Sequence, residues 1–196
     1  MIYLLYGEDE YTLDEALSSM KEDVGPPELR DVNITVFDGA GVTLGQLTAT
    51  CDTVPFLSEK RLVVVRGLLA LFERRPSART RSSAGAGTEG ERKLGEWQGL
   101  VEHMSRLPDT TDLVFVEGKL SGKNPLFAAV RPVARVRPFP LAGPGDLRQW
   151  IRVRAEAEGV LIEPRAVDAL AETVGADLRV AASELRKLSL YRWGET

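Results

Sequence analysis

The sequence predicts an α/β fold, a doubly wound parallel five-stranded sheet followed by a small three-helix unit. Three observations carry that expectation. Short apolar runs alternate with stretches of helical periodicity through the first 141 residues. Two of those runs, Leu62-Val-Val-Val65 and Leu113-Val-Phe-Val116, are uninterrupted, as in strands covered on both faces. Beyond Pro138-Phe-Pro-Leu-Ala-Gly-Pro-Gly145 the pattern is helical to the end of the chain.

In order along the chain, Ile2 to Tyr6 is an apolar run ended by Gly7 and reads as the first strand. Leu13, Ala16, Leu17, Met20 and Val24 recur at three- and four-residue spacing and form one apolar helical stripe, stopped by Gly25-Pro-Pro27. Asn33 to Asp38 reads as the second strand, turning at Gly39-Ala-Gly41. Thr43 is placed to cap a helix showing Leu44, Leu47 and Cys51 on one face. Leu62 to Val65 and Asp112 to Glu117 are strands three and four. Val133 to Arg137 reads as a fifth, closed by Pro138. Leu147, Trp150, Ile151 and Ala155 begin the helical tail, which is broken at Gly159. Pro164 opens a second helix with Val167, Leu170, Ala171 and Val174, broken at Gly175; Leu178, Ala181, Ala182, Leu185 and Leu188 mark a third. The expected domains are therefore 1–141 and 142–196. Between strands three and four, Arg74 to Gly90 is rich in Arg, Ser, Ala and Gly without apolar periodicity, and reads as a mobile surface insertion. Its Arg74, Arg75, Arg79 and Arg81 are candidates for contact with DNA phosphates, against the plainer reading of a solvated loop.

Composition removes several classes of function. With 25 basic against 29 acidic residues and a net charge of -4, the chain lacks a general nucleic-acid-binding surface, although a local patch is still open. One cysteine, Cys51, and one histidine, His103, exclude an internal disulfide and a Cys/His zinc site. Met1 to Tyr6 is too short and too little flanked by basic residues for a signal peptide, and no apolar run approaches the ~20 residues of a membrane span, so a cytoplasmic protein is expected. Cys51 lies on an apolar stripe and reads as core. His103, near Val101, Met104 and Leu107 on a helical stretch, has no nucleophile to serve.

The first turn of such a sheet is the usual phosphate site. There, glycines let backbone N–H groups wrap the phosphates and a lysine neutralises their charge. Here the turn is Gly7-Glu-Asp-Glu-Tyr-Thr-Leu-Asp14, without a second glycine or a lysine. Gly7, Glu8, Asp9 and Glu10 form a degenerate, non-binding phosphate loop whose carboxylates would repel a nucleotide. A Mg²⁺ site there is the lesser reading; capping of the following helix is favoured. No catalytic residue, metal ligand or cofactor is expected. The contrasting feature is Thr53-Val-Pro-Phe-Leu-Ser58, where Pro55 bars the helix from continuing and Val54, Phe56 and Leu57 cluster in a short break. Such a trio reads either as core or as an exposed wedge that enters a partner's pocket.

Four stretches, in order, resemble the delta-subunit family of bacterial DNA polymerase III clamp loaders. They are Tyr3-Leu-Leu-Tyr-Gly-Glu-Asp9, Phe37-Asp-Gly39, Val54-Pro-Phe-Leu-Ser-Glu-Lys-Arg-Leu-Val-Val-Val65, and Asp177-Leu-Arg179 with Glu184-Leu-x-Lys-Leu188. The resemblance implies an AAA+-type sheet domain over 1–141, a helical lid over 142–196, and a third, collar domain that this chain, ending at Trp193-Gly-Glu-Thr196, does not contain. It implies a clamp-opening subunit of the DNA polymerase III holoenzyme that does not hydrolyse ATP. Its implied partners are the sliding clamp (beta subunit), the other loader subunits, and primer-template DNA through the assembled complex, with no membrane involved. The family's clamp-contact element falls on Cys51 to Leu57, giving Val54, Pro55, Phe56 and Leu57 as clamp-binding residues. Cys51 and Pro55 depart from the family's glutamine and Leu-Phe pattern, and Phe56 is retained. Arg179 resembles a nucleotide-sensing arginine of the family and, with no phosphate loop in the chain, is read as capping or packing, with a subunit contact as the lesser reading. The rival is a divergent NTPase or phosphotransferase on the same fold, binding phosphate at Gly7 to Tyr11.

Overall fold

A computed structural model describes residues 1–73, 94–175 and 177–192. Strands β1 (Ile2–Gly7), β2 (Ile34–Asp38), β3 (Arg61–Arg66), β4 (Thr111–Glu117) and β5 (Arg135–Phe139) pair in one sheet of order β2-β3-β4-β1-β5. Every pairing is parallel. Successive side chains on a strand point to opposite faces, and both faces are covered, which accounts for the unbroken apolar runs. On one face Leu4, Val63, Val65, Leu113 and Phe115 pack against α3 (Leu44–Cys51), α4 (Gln98–Met104) and α5 (Pro125–Val130). On the other, Leu5, Leu62, Val64, Val114 and Val116 meet Leu13 and Leu17 of α1 (Glu10–Glu22).

Three details differ from the sequence reading. The fifth strand does not run Val133 to Arg137 but Arg135–Phe139, and Pro138 lies inside it, opposite Tyr6. β5 pairs only with β1, and an edge strand tolerates proline because its outward N–H has no partner to lose. Gly25-Pro-Pro27 does end α1, but Pro27 also opens a second helix, α2 (Pro27–Asn33), since proline's missing N–H costs nothing in a first turn. Asn33 therefore closes a helix, and β2 begins one residue later. Finally, α5 is capped by Asn124, whose Oδ1 accepts from the Phe127 N–H at 3.0 Å, with Pro125 following. Its apolar stripe of Leu126, Phe127 and Val130 is too short to stand out as periodicity.

The chain divides into two compact units. The first holds Met1–Glu8 and Leu13–Phe139; the second holds Asp9–Thr12 and the stretch from Pro140 onward. The second contains helices α6 (Pro144–Ala157), α7 (Pro164–Val174) and α8 (Leu178–Arg192) around Leu147, Ile151, Ala155, Val167, Ala171 and Leu185. Gly175 terminates α7 at φ 59°, a conformation costly for other residues. Among the described residues, no helix is long and apolar enough to cross a membrane.

Candidate functional site

The break after α3 is built from both sides. Thr43 opens α3 with a capping box: its Oγ1 accepts from the Gln46 N–H at 3.2 Å while Gln46 Oε1 accepts from the Thr43 N–H at 3.0 Å. The far end is pinned to β4, where the Thr111 hydroxyl donates to the Cys51 carbonyl at 2.7 Å. Cys51 itself is fully buried, and burial pushes its thiol up to about 12, so it is a core residue and no nucleophile. His103 Nε2 lies 3.3 Å from Asp52 Oδ1, within ion-pair reach but outside hydrogen-bond geometry.

Past that anchored end the apolar trio turns outward. Val54 is 79% exposed, Phe56 57% and Leu57 76%, which decides between the two readings: they are a surface tip and not core. Pro55 is half-buried. The backbone beneath the tip is tied down. Asn33, at the end of α2, accepts from the Phe56 N–H at 2.7 Å and donates to the Phe56 carbonyl at 2.8 Å and to the Leu29 carbonyl at 2.9 Å. The Ser58 hydroxyl donates to the Val24 carbonyl at 2.6 Å. Between these ties Leu57 takes φ 50°, the one non-glycine residue with a left-handed backbone among those described. Beside the tip lies a groove of about 680 Å³ that Leu57 shares with Ala16, Met20, Leu29, Lys60 and Arg137. Lys60 donates to Asp112 at 3.1 Å, and that carboxylate holds its ammonium above the usual lysine range.

The first turn is arranged in the opposite way. Open parallel sheets bind ligands in the crevice beyond the carboxyl ends of their strands. Here β1 ends at Gly7 with φ 153°, and a Cβ on it would sit 1.9 Å from the Phe139 carbonyl oxygen. The glycine permits the close approach of β5. Glu8, just past β1, pairs with Lys119, just past β4, at 3.0 Å, so one ion pair spans that crevice. Asp9 Oδ1 accepts from the Thr12 N–H at 3.0 Å and caps the start of α1, whose first residue is Glu10. Among the described residues no set of three or more His, Cys, Asp or Glu side chains is gathered as metal ligands.

One acid was not singled out by sequence. Glu117, at the end of β4, is buried; its Oε1 accepts from Leu69 N–H at 2.7 Å and its Oε2 from Ala70 N–H at 3.1 Å. These donors start the 3-10 turn Leu69–Phe72 after β3. Burial pushes the Glu117 carboxyl up to about 7 against the pull of those amides. Asn124 donates to the Leu69 carbonyl at 2.7 Å and to Glu73 Oε1 at 3.0 Å, closing the network. Only burial, which a strand-end position does not reveal, distinguishes Glu117 from a surface acid.

In the second unit Asp177 Oδ1 accepts from the Val180 N–H at 3.0 Å and caps α8, and the Arg179 guanidinium lies 5.9 Å from the centre of the Tyr11 ring. Tyr11 in turn meets Trp150 edge to face at 5.8 Å. The guanidinium thus lies near the Tyr11 ring. The candidate DNA contacts Arg74, Arg75, Arg79 and Arg81, and the insertion that carries them, lie outside the described residues.

Residues 3–85 match the family model described as DNA polymerase III, delta subunit. A curated relative, the DNA polymerase III subunit delta of Bacillus subtilis, is 40% identical over 65 residues, which is 33% of this chain and 19% of that protein. Among solved structures, a Bacillus subtilis DNA clamp loader delta protein superposes with TM-score 0.73 at 23% identity, over 97% of this chain and 53% of that one. Domain III of the Thermotoga maritima replication initiation protein DnaA gives TM-score 0.50 at 13% identity, over 99% of this chain and 77% of that one, a likeness of fold. The chain thus spans about half the length of the clamp loader delta protein it resembles.

Proposed function

We propose that this chain, whose residues 3–85 match the DNA polymerase III delta-subunit family, is the clamp-binding part of a clamp-loader subunit. The tip Val54-Pro55-Phe56-Leu57 enters an apolar pocket on the sliding clamp and holds one interface of the ring open. The observation that carries this reading is an apolar tip, exposed at Val54, Phe56 and Leu57, on a backbone tied down at both flanks.

The mechanism is differential binding. A tip that binds the opened ring better than the closed one shifts the ring toward open by that difference in affinity, and no bond is made or broken. Two further features support a subunit without ATP hydrolysis of its own: the Glu8–Lys119 pair across the strand-end crevice and the Phe139 carbonyl against Gly7. Energy for resetting the ring comes from partner ATPases, and primer-template DNA is held by the assembled complex in the cytoplasm. Residues 1–141 act as the sheet domain and 142–196 as its helical lid.

The test is binding of this chain to the sliding clamp of the same organism, immobilised, with wild type and Phe56→Ala compared. A buried aromatic anchor is worth about 2 kcal/mol or more on truncation, roughly a thirtyfold loss of affinity. A folded Phe56→Ala protein that binds the clamp like wild type removes the tip from the interface.

A further inference from the structure

We propose that Asn33 is a positioning residue for this docking tip. From a buried place at the end of α2 it fixes the Phe56 backbone, so that Phe56 and Leu57 meet their partner already arranged. The inference rests on the clamp-binding reading and adds a residue that need not touch the partner.

The first ground is where Asn33 directs its bonds. Its side chain has no exposed surface, and a buried amide must be satisfied. Two of its hydrogen bonds go to both backbone groups of one residue, Phe56, 23 positions along the chain. That is the pairing a neighbouring strand would give, supplied by one side chain to a loop that has no strand beside it. The second ground is the tip itself. Phe56 and Leu57 are mostly exposed, so their own side chains contribute little packing that would order them. Yet Leu57 keeps a left-handed backbone, which L-residues avoid unless the surroundings impose it. On one side of Leu57 the Asn33 side chain grips the Phe56 main chain; on the other the Ser58 side chain is held by the Val24 carbonyl. A tip ordered in advance loses less conformational freedom on docking, and the gain appears as slower dissociation.

The experiment measures dissociation from the immobilised sliding clamp for wild type, Asn33→Ala, Ser58→Ala, Phe56→Ala and the Asn33→Ala/Phe56→Ala double variant, each checked for folding by circular dichroism. Asn33→Ala is expected to dissociate roughly tenfold faster than wild type, and to make a clearly smaller further difference once the Phe56 side chain is gone. Ser58→Ala, which loosens the other flank, is expected to show the same effect more weakly. If Asn33→Ala is not folded, Asn33→Asp, which keeps an acceptor for the Phe56 N–H and loses the donation to the Phe56 carbonyl, takes its place: faster dissociation upholds the inference and wild-type dissociation overturns it. Wild-type dissociation of folded Asn33→Ala overturns it while Phe56→Ala still loses binding, and the clamp-binding reading then stands. Equal losses from Asn33→Ala with and without Phe56 also overturn it, because they mark a general structural effect. Wild-type binding by Phe56→Ala removes the clamp-binding reading and this inference with it.

Discussion

Two turns of the sheet unit, one after β1 and one after α3, solve opposite problems. At Gly7–Glu8 the backbone lies against Phe139 and the Glu8 carboxylate is paired with Lys119. At Val54–Leu57 the Phe56 backbone is held by Asn33, and the Val54, Phe56 and Leu57 side chains are exposed. The first turn holds a glycine pressed against β5 and an ion pair to Lys119; the second holds side chains exposed at Val54, Phe56 and Leu57. The difference teaches that tight backbone packing and exposed apolar surface are segregated in this sheet unit, the one at a strand end and the other past the end of a helix. Changes at the first turn should therefore alter stability, and changes at the second should alter binding.

The largest expected effect is at Gly7. Replacing it with Ala puts a Cβ 1.9 Å from a backbone oxygen, and backbone cannot step aside as a side chain can. A stability loss of about 3 kcal/mol is expected in urea unfolding, from overpacking and strain together. A loss under about 1 kcal/mol would mean that β5 does not press on this turn.

Glu117, at the end of the neighbouring strand β4, should make stability depend on pH. Its folded pKa, about 7, lies above the ordinary value of 4.5, so the protonated form is favoured in the folded state. Its contribution is fully present below pH ~4.5 and is lost as pH rises through ~7. Relative to Glu117→Gln, which cannot ionise, wild type should therefore lose on the order of 3 kcal/mol between those limits, read by unfolding at each pH. A pH-independent difference between the two proteins would place this carboxyl in water.

At the other turn, Phe56→Ala should leave stability within about 0.5 kcal/mol of wild type, as exposed substitutions do, while weakening clamp binding by about 2 kcal/mol. A large fall in melting temperature with unchanged binding would invert the comparison.

How far the sequence carried these arguments varied with the physical origin of each feature. The central strands were legible because burial on both faces demands unbroken apolar runs, and Leu62 to Val65 is such a run, β-branched at three of its four positions. The acidic character of the first turn was legible, from three carboxylates and a missing lysine, though not the contact of Gly7 with Phe139, which joins residues far apart in the chain. The apolar tip was legible as a cluster but not as exposed, since exposure depends on what folds over it. Asn33 was missed for a related reason: a single asparagine opening an apolar run looks like the first residue of a strand, and its two bonds to Phe56 arise only in the folded chain. Pro138 misled because proline's ban from strands does not extend to edges, and edge position is a property of the sheet order.

The smallest effect expected is at the ion pair across the crevice. Lys119 is 75% and Glu8 45% exposed, so their attraction is screened by solvent, and Glu8→Ala should change stability by at most about 0.5 kcal/mol. The sharper measurement on the same variant is calorimetric titration with Mg-ATP. Removing one carboxylate lowers the repulsion at this turn, but the Phe139 carbonyl still faces Gly7 and the turn still lacks a lysine. Neither wild type nor Glu8→Ala should therefore bind the nucleotide. Micromolar binding by wild type would favour the rival nucleotide-using enzyme, and binding gained only by Glu8→Ala would show that a single charge, and not the packing of β5 against the turn, excludes the nucleotide.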